Sequence, residues 1–306
     1  MIIQKFPDLA WLKNRIQTRQ EAGLGWPTCI LNVETQQEYR PGIAGPLSIF
    51  SNLKGTSYCK VGNHTVRIEP GQYFISNRGD EYCFEIDSKG EAVETMNIHV
   101  EEALMEKVFA ALVQRTDFQL EQPDHLPEQS LHFYSQLYPK APDIAQVLDQ
   151  IRHTQSGPEA SKLLLDEQLY QLMTQLLHTH RDVMRDVQRL PAIKASTRTE
   201  IYRRLTFARD YIHSHYSEEL HLDELAANAC MSRFHFLRLF KLAYGQTPYQ
   251  YLKALRLQKA KEWLRATRAP VGEIALRLGY QNISSFSRVF QKGEGVSPVQ
   301  FRALIG

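Results

Sequence analysis

Arg238 and Arg288 stand in matching surroundings, Phe236-x-Arg238-x-Phe240-Lys241 and Phe286-x-Arg288-x-Phe290-Gln291-Lys292. A guanidinium carries five N–H donors in a planar fork, which fits the O6 and N7 acceptors of guanine or two oxygens of a phosphate. Phenylalanines four apart share one face of a helix, and the residue between them lies off that face. Each phenylalanine pair is therefore expected in a core, with its arginine presented away from it. The bland reading for either arginine is an intramolecular ion pair or a solvated surface. Arg233 belongs to the same group as Arg238.

Other side chains offer less chemistry. The four cysteines, Cys29, Cys59, Cys83 and Cys230, include no C-x-x-C pair, so reduced, buried thiols are expected rather than a metal or redox site. A metal-binding cupin supplies two histidines one residue apart, then a glutamate and a distant histidine. Here Cys59–Glu69 contains only His64, and His99 with Glu101-Glu102 ends a later run. No G-x-S-x-G, phosphate loop or paired catalytic carboxylate stands out. No metal, no cofactor and no catalytic residue are expected. Tyr58, Tyr73, Phe74, Tyr82 and Phe84 fit a pocket wall or a core equally, and the effector-binding residues stay unassigned.

Charge divides the chain. Its 306 residues carry 36 Lys+Arg and 34 Asp+Glu, a formal charge of +2, with 43% hydrophobic residues. Residues 1–195 hold 19 basic and 25 acidic side chains, a net of −6, whereas residues 196–306 hold 17 and 9, a net of +8. A basic segment of that size behind an acidic one points to a polyanion binder joined to something else. No run approaches the roughly 18 apolar residues that span a bilayer, and Met1–Trp11 lacks the pattern of a secretory signal. A soluble cytoplasmic protein without membrane contact is expected.

The elements that position these residues follow from periodicity. Short β-branched or aromatic runs at Thr28–Tyr39, Pro46–Ser51, Gly55–Val61, His64–Glu69, Tyr73–Asn77, Tyr82–Asp87 and Ala92–Val100 alternate with turn signals such as Pro41-Gly42 and Pro70-Gly71. They predict a small barrel or jelly roll able to hold a ligand at its mouth. Helical spacing begins near Glu101 and covers Ala103–Arg115, Asp143–His153 and Ala160–Met184, with Gln129–Pro142 ambiguous. Leu165, Leu169, Leu172 and Leu176 form a seam at spacings of four, three and four, suited either to a dimer contact or to packing on its own barrel. Residues 1–187 are expected to form one domain, 188–198 a linker broken by Pro191, and 199–306 a second, helical domain.

The second domain repeats itself. Asp223-Glu224-Leu225-Ala226, a turn, and the Arg238 segment form one unit, and Gly272-Glu273-Ile274-Ala275, Gly279 and the Arg288 segment form another. Each reads as helix, tight turn, helix, with Ala226 or Ala275 allowing close approach; Ser232 is placed to cap the second helix of the first unit. Such a unit lays its second helix in a major groove. In the helix between the units, read at Pro248–Thr267, roughly eighteen helical residues span about 27 Å. With its flanking turns that approaches one DNA turn of about 34 Å, so one chain would reach two successive major grooves of double-stranded DNA.

On these residues the chain resembles the AraC/XylS family of bacterial transcription regulators. The resemblance covers 205–302 through Leu222-Asp223-Glu224-Leu225-Ala226, Phe236-Leu237-Arg238-Leu239-Phe240-Lys241, Gly245-Gln246-Thr247-Pro248, Gly279-Tyr280, Phe286-Ser287-Arg288-Val289-Phe290 and Gly295-Val296-Ser297-Pro298. The front part resembles the family's cupin-like sensor domains more weakly, through strand rhythm and Glu69-Pro70-Gly71. The resemblance implies an α+β two-domain fold: an N-terminal cupin-like β-barrel with flanking helices, and a C-terminal all-α double helix-turn-helix. It implies a sequence-specific regulator, an activator in sign, with a sensing or dimerisation domain. The implied partners are DNA, RNA polymerase, a small-molecule effector and a second copy of the chain. It assigns base reading to Phe234, Leu237, Arg238, Ile283, Ser284, Ser287 and Arg288, and phosphate contact to Ser232, Lys241, Ser285 and Lys292. Phe234 is divided between base contact and core, and His235 is expected in packing. Ile283 and Ser284 replace longer polar side chains of the family, implying weaker or shape-based readout by the second unit. Gly293-Glu294 implies a frayed helix end. The competing expectations are a cupin-like metalloenzyme fused to a DNA-binding module, and a regulator controlled by a protein partner.

Overall fold

The computed structural model describes residues 2–21, 25–113, 132–156, 162–191 and 194–305. The chain divides into two compact units, Met1–Arg185 and Asp186–Gly306.

Among the described residues the first unit has ten strands: β1 (Ile2–Ile3), β2 (Cys29–Thr35), β3 (Gln37–Ala44), β4 (Leu47–Lys54), β5 (Ser57–Val61), β6 (His64–Ile68), β7 (Gln72–Ser76), β8 (Glu81–Asp87), β9 (Val93–Val100) and β10 (Leu137–Pro139). They form a six-stranded sheet in the order β1-β2-β9-β4-β7-β10 and a four-stranded sheet in the order β3-β8-β5-β6. Phe50 and Phe74 from the first sheet pack with Cys59, Val66, Phe84 and Ile86 from the second. This is the two-layer β architecture that the turn rhythm predicts. Among the described residues its helices are α1 (Leu9–Glu21), α2 (Glu102–Val113), α3 (Pro142–Ser156) and α4 (Lys162–Gln188), whose last residues are assigned to the second unit.

Several local expectations are corrected. The run Thr28–Tyr39 is two strands, because β2 pairs with β9 in one sheet and β3 with β8 in the other. Pro41-Gly42, expected as a turn, is a bulge within β3 between Arg40 and Ile43, with Gly42 at φ +47°. Proline lacks the donor a central strand needs, and β3 is an edge strand, where the loss costs little. The ambiguous Gln129–Pro142 segment contributes β10, antiparallel to β7; its residues 129–131 lie outside the described residues. Asn77 pins the approach to β10 by donating to Phe133 O and accepting from Phe133 N, both at 2.8 Å. Helix α1 and strand β1 were not expected. The signal for α1 was present, since Asp8 caps it by accepting from Ala10 N and Trp11 N at 2.9 and 3.0 Å.

Leu169, Leu172 and Leu176 are each no more than 1% exposed in the single chain, and Leu165 is half-buried. The leucine seam is thus spent on packing, and the exposed large apolar side chains of α4 are Leu163, Leu164, Tyr170 and Met184. All four cysteines are free. Cys29 and Cys59 are buried, and burial raises both thiols. Cys83 is half-buried, and Cys230 is exposed, against the expectation of a buried thiol.

Among the described residues the second unit has seven helices beyond the end of α4: α5 (Ala195–Ser214), α6 (Leu222–Asn228), α7 (Arg233–Tyr244), α8 (Pro248–Ala266), α9 (Val271–Arg277), α10 (Ile283–Glu294) and α11 (Pro298–Ile305). Helix α5 begins four residues before Thr199, and 192–193 lie outside the described residues. Among the described residues no helix is long and apolar enough to cross a membrane.

Candidate nucleic-acid interface

Each helix pair is joined by the same hydrogen-bonded turn. In the first unit Cys230 N donates to Ala227 O and Met231 N to Ala226 O; in the second Gly279 N donates to Leu276 O and Tyr280 N to Ala275 O. This is the paired bonding of a helix C-terminus that ends in a left-handed residue. Gly279 supplies it at φ +77°, whereas the first unit places Cys230 there at φ +49°. Ala226 and Ala275 are buried at the crossings, and Phe236, Phe240, Phe286 and Phe290 are at most 1% exposed. The paired phenylalanines do fill the core, in edge-tilted contact at 5.4 and 5.7 Å.

That burial decides what α7 and α10 show. Arg238 and Arg288 are exposed, and among the described residues neither makes an ion pair or a hydrogen bond. Phe234 is 85% exposed, so it is not core. Ile283 is exposed, as are Ser232, Lys241, Ser284, Ser285 and Lys292. Leu237 and Ser287 are half-buried at the edge of the presented face. His235, expected in packing, is exposed. Helical phase puts it beside Phe234, one position before the core face defined by Phe236 and Phe240. Arg233 stands 3.6 Å from Asp223, an exposed pair that leaves it available.

The helix starts differ between the units. Ser232 occupies the cap position of α7 with extended backbone but makes no side-chain cap bond. Asn282 caps α10 by accepting from Ser285 N at 2.8 Å. The Ser285 amide is thereby taken, and only its hydroxyl remains for a phosphate. Aligning Phe236 with Phe286 pairs Lys241 with Gln291 and Lys292 with Leu242. The two lysines therefore stand about 100° apart around their helices rather than at equivalent places.

The helix ends correct another expectation. Helix α10 runs to Glu294 and stops at Gly295 in the left-handed region, as α7 stops at Gly245. Gly293 is a contact, not a point of fraying: a Cβ there would lie 2.5 Å from Leu257 Cδ2, and Glu294 pairs with Lys261 at 3.0 Å. A repeated capping box follows both glycines. Thr247 N donates to Gln250 Oε1 and Gln250 N to Thr247 Oγ1; Ser297 N and Gln300 N do the same with Gln300 Oε1 and Ser297 Oγ. The spacing Gly-x-(Thr/Ser)-Pro-x-Gln carries this signal in the sequence.

Helix α8 has 19 residues, about 28 Å of rise, and separates the two units. Arg256, near its middle, donates from Nε to Tyr216 O and from Nη2 to Glu218 O, both 2.7 Å, and covers the Tyr280 ring at 5.5 Å. It joins the end of α5 in the first half to the turn after α9 in the second. Sequence reading missed this residue, because both acceptors are backbone carbonyls about 40 residues away. It also missed the buried Arg209–Asp210 pair at 2.7 Å, set against Tyr244.

His213 is packed near that pair, with Nε2 2.8 Å from Tyr251 Oη. Burial first, then the cations Arg209 and Lys259, push its pKa down to about 3. Below the ordinary value of about 6.5 the unfolded chain takes up a proton that the folded unit refuses, so stability is full above that pH, falls below it and levels off near 3. Urea midpoints should fall between pH 7 and pH 5, and His213→Gln should reduce that dependence.

Among the described residues no group of three His, Cys, Asp or Glu side chains is placed to hold a metal ion. His99, near the cavity of the first unit, bonds Ser48 Oγ at 2.8 Å, and burial lowers its pKa to about 4.

Comparison with known proteins agrees with this geometry. A sequence model described as a helix-turn-helix domain matches residues 225–304, and one described as an AraC-like ligand binding domain matches residues 27–173. The chain is similar to the probable transcriptional regulator LumQ of Photobacterium leiognathi, 32% identical over 96 residues that cover 31% of this chain and 39% of LumQ. It is 34% identical over 92 residues to the MmsAB operon regulatory protein of Pseudomonas aeruginosa, covering 30% of each chain. It is 34% identical over 95 residues to the bifunctional transcriptional activator/DNA repair enzyme AdaA of Bacillus subtilis, covering 31% of this chain and 45% of AdaA. The matched segment is therefore less than half of each of these relatives. Among solved structures, the DNA-binding domain of AdpA in complex with a target DNA is 31% identical, with a TM-score of 0.32, over 33% of this chain and 90% of that chain.

Proposed function

Because the chain belongs to the AraC/XylS family, pairing an AraC-like ligand binding domain with a helix-turn-helix domain, we propose that it is a sequence-specific DNA-binding transcription regulator, an activator in sign. Residues 1–187 sense an effector or self-associate, 188–198 connect, and 199–306 bind two successive major grooves. The observation that carries this reading is the pair of unpartnered, exposed arginines on two helices of one repeated unit.

Arg238 and Arg288 take guanine edges, Phe234 and Ile283 take thymine methyls, and Leu237, Ser284 and Ser287 complete the base-facing surface. Ser232, Lys241, Ser285 and Lys292 hold phosphates and fix the register. The protein catalyses no reaction, works in the bacterial cytoplasm, and acts through contact with RNA polymerase. A ligand alters promoter occupancy by binding one arrangement of the chain better than another.

The test is selection from random duplex DNA with the full chain. It should return two short motifs centred about 10 base pairs apart, the distance of one helical turn. Recovery of no preferred sequence would reject the reading. Lys241→Ala and Lys292→Ala should each lower the slope of log affinity against log salt by about 1 while leaving the preferred sequence unchanged. Titrations at several salt concentrations measure this.

A further inference from the structure

We propose that the ligand of the first unit is a small amphipathic carboxylate, with its anion on Arg40 and Asn97 and its apolar body in the place that Phe6 occupies. The proposal rests on the reading of this unit as a sensor and adds the ligand's chemistry.

The cavity lies at the open side of the β structure, where Phe6 and α1 meet β2, β3 and β8. Its volume is about 50 Å³, and its walls include Leu31, Ile43, Phe50, Tyr82 and Phe84. Two cations, Arg15 and Arg40, also line it, and among the described residues no Asp or Glu does. An apolar body suits those walls, and one anionic group suits the two guanidinium groups.

The polar side chains narrow the choice. Arg40 is 7% exposed and meets Glu38 only at its Nε, 2.7 Å away. One carboxylate on that side engages part of a five-donor fork. Asn97 is 1% exposed and accepts from Thr95 Oγ1 through Oδ1 at 2.9 Å. Its amide nitrogen makes no hydrogen bond among the described residues. A buried amide donor and a buried guanidinium that line the same cavity can both donate to one carboxylate.

Phe6 shows what the site accepts. Its ring lies 5.1 Å from the Arg40 guanidinium and 5.9 Å from the Phe84 ring. It is only half-buried and belongs to the short segment between β1 and α1, so it can leave without opening the sheets. A volume of about 50 Å³ holds little more than water. A ligand body with the shape and polarity of the Phe6 ring is accommodated once that ring leaves.

The experiment uses the full chain with octanoate and benzoate, against 1-octanol, benzyl alcohol and glucose. Thermal shift and tryptophan fluorescence report binding, since Trp26 lines the cavity. At least one carboxylate should bind tenfold or more tightly than its alcohol. Arg40→Gln should remove that preference. Asn97→Asp, close in shape and able to keep the Thr95 bond, should weaken the carboxylate tenfold and spare the alcohols. Phe6→Ala should tighten carboxylate binding at least threefold. Equal binding of acid and alcohol, absence of binding by both carboxylates, or normal carboxylate binding by folded Asn97→Asp overturns the proposal. DNA occupancy, measured in parallel, separates it from the sensor reading. Arg40-dependent carboxylate binding without any change in occupancy keeps the ligand class and rejects the sensor; an occupancy response to glucose or the alcohols alone keeps the sensor and rejects the class.

Discussion

Replacing Gly279 with alanine is expected to cost the C-terminal unit about 3 kcal/mol or more and to abolish binding of the selected DNA site. A left-handed conformation costs an alanine roughly 1–2 kcal/mol, and overpacking adds about 1–3 kcal/mol. Both penalties apply here, because φ is +77° and a Cβ would run into the Ser217 carbonyl and lie 2.8 Å from Arg256 Nη2. The contact matters for function because Arg256 bonds the carbonyls on either side of Ser217, so shifting that loop disturbs the joint between the halves. Gly245→Ala is the control. Its φ of +72° is as strained, yet nothing lies within 4 Å of its Cβ, so it should cost only about 1–2 kcal/mol. Urea denaturation of the full chain measures both, and equal losses would show that the Ser217 contact contributes nothing.

Arg238→Ala should weaken binding to the selected site by about 1–3 kcal/mol, roughly 5- to 150-fold, and relax the preference at one base pair. Arg288→Ala should do the same in the other half of the site. Neither arginine supports the fold, since neither has an intramolecular partner among the described residues. Thermal stability should therefore stay within about 0.5 kcal/mol of the parent. Because the two arginines belong to different units separated by α8, their effects should add. Titration against the selected and a scrambled duplex decides the role. An equal loss on both duplexes would make the arginine a phosphate contact rather than a base reader.

How much of this was readable in the chain varies with the range of the contacts involved. The Phe-x-Arg-x-Phe segments locate α7 and α10 and their core faces, because spacing of four on a helix is a local property. Strands β2 to β9 were found from alternation and turns, apart from the crossover between sheets that splits Thr28–Tyr39 and the edge position that admits Pro41, whereas β1 and β10 are too short to show alternation. The leucine seam of α4 had two acceptable partners on periodicity alone, and its burial within the chain chose one. The site residues were identified by type, but Ser285 keeps only its hydroxyl and Lys292 stands apart from Lys241, differences set by the Asn282 cap and by Gln291 at the place that Lys241 holds in α7.

By itself the sequence determined that a basic, repeated helix-turn-helix module follows an acidic β domain, because charge, repeat and periodicity are each carried by neighbours along the chain. The tertiary structure decided which side chains remain unpartnered. Exposure of Phe234 and His235, the hold of Arg256 on the Tyr216 and Glu218 carbonyls, and the seat of Phe6 against Arg40 all depend on residues far apart in the chain. Periodicity names the face a residue lies on; only packing shows what, if anything, that face meets.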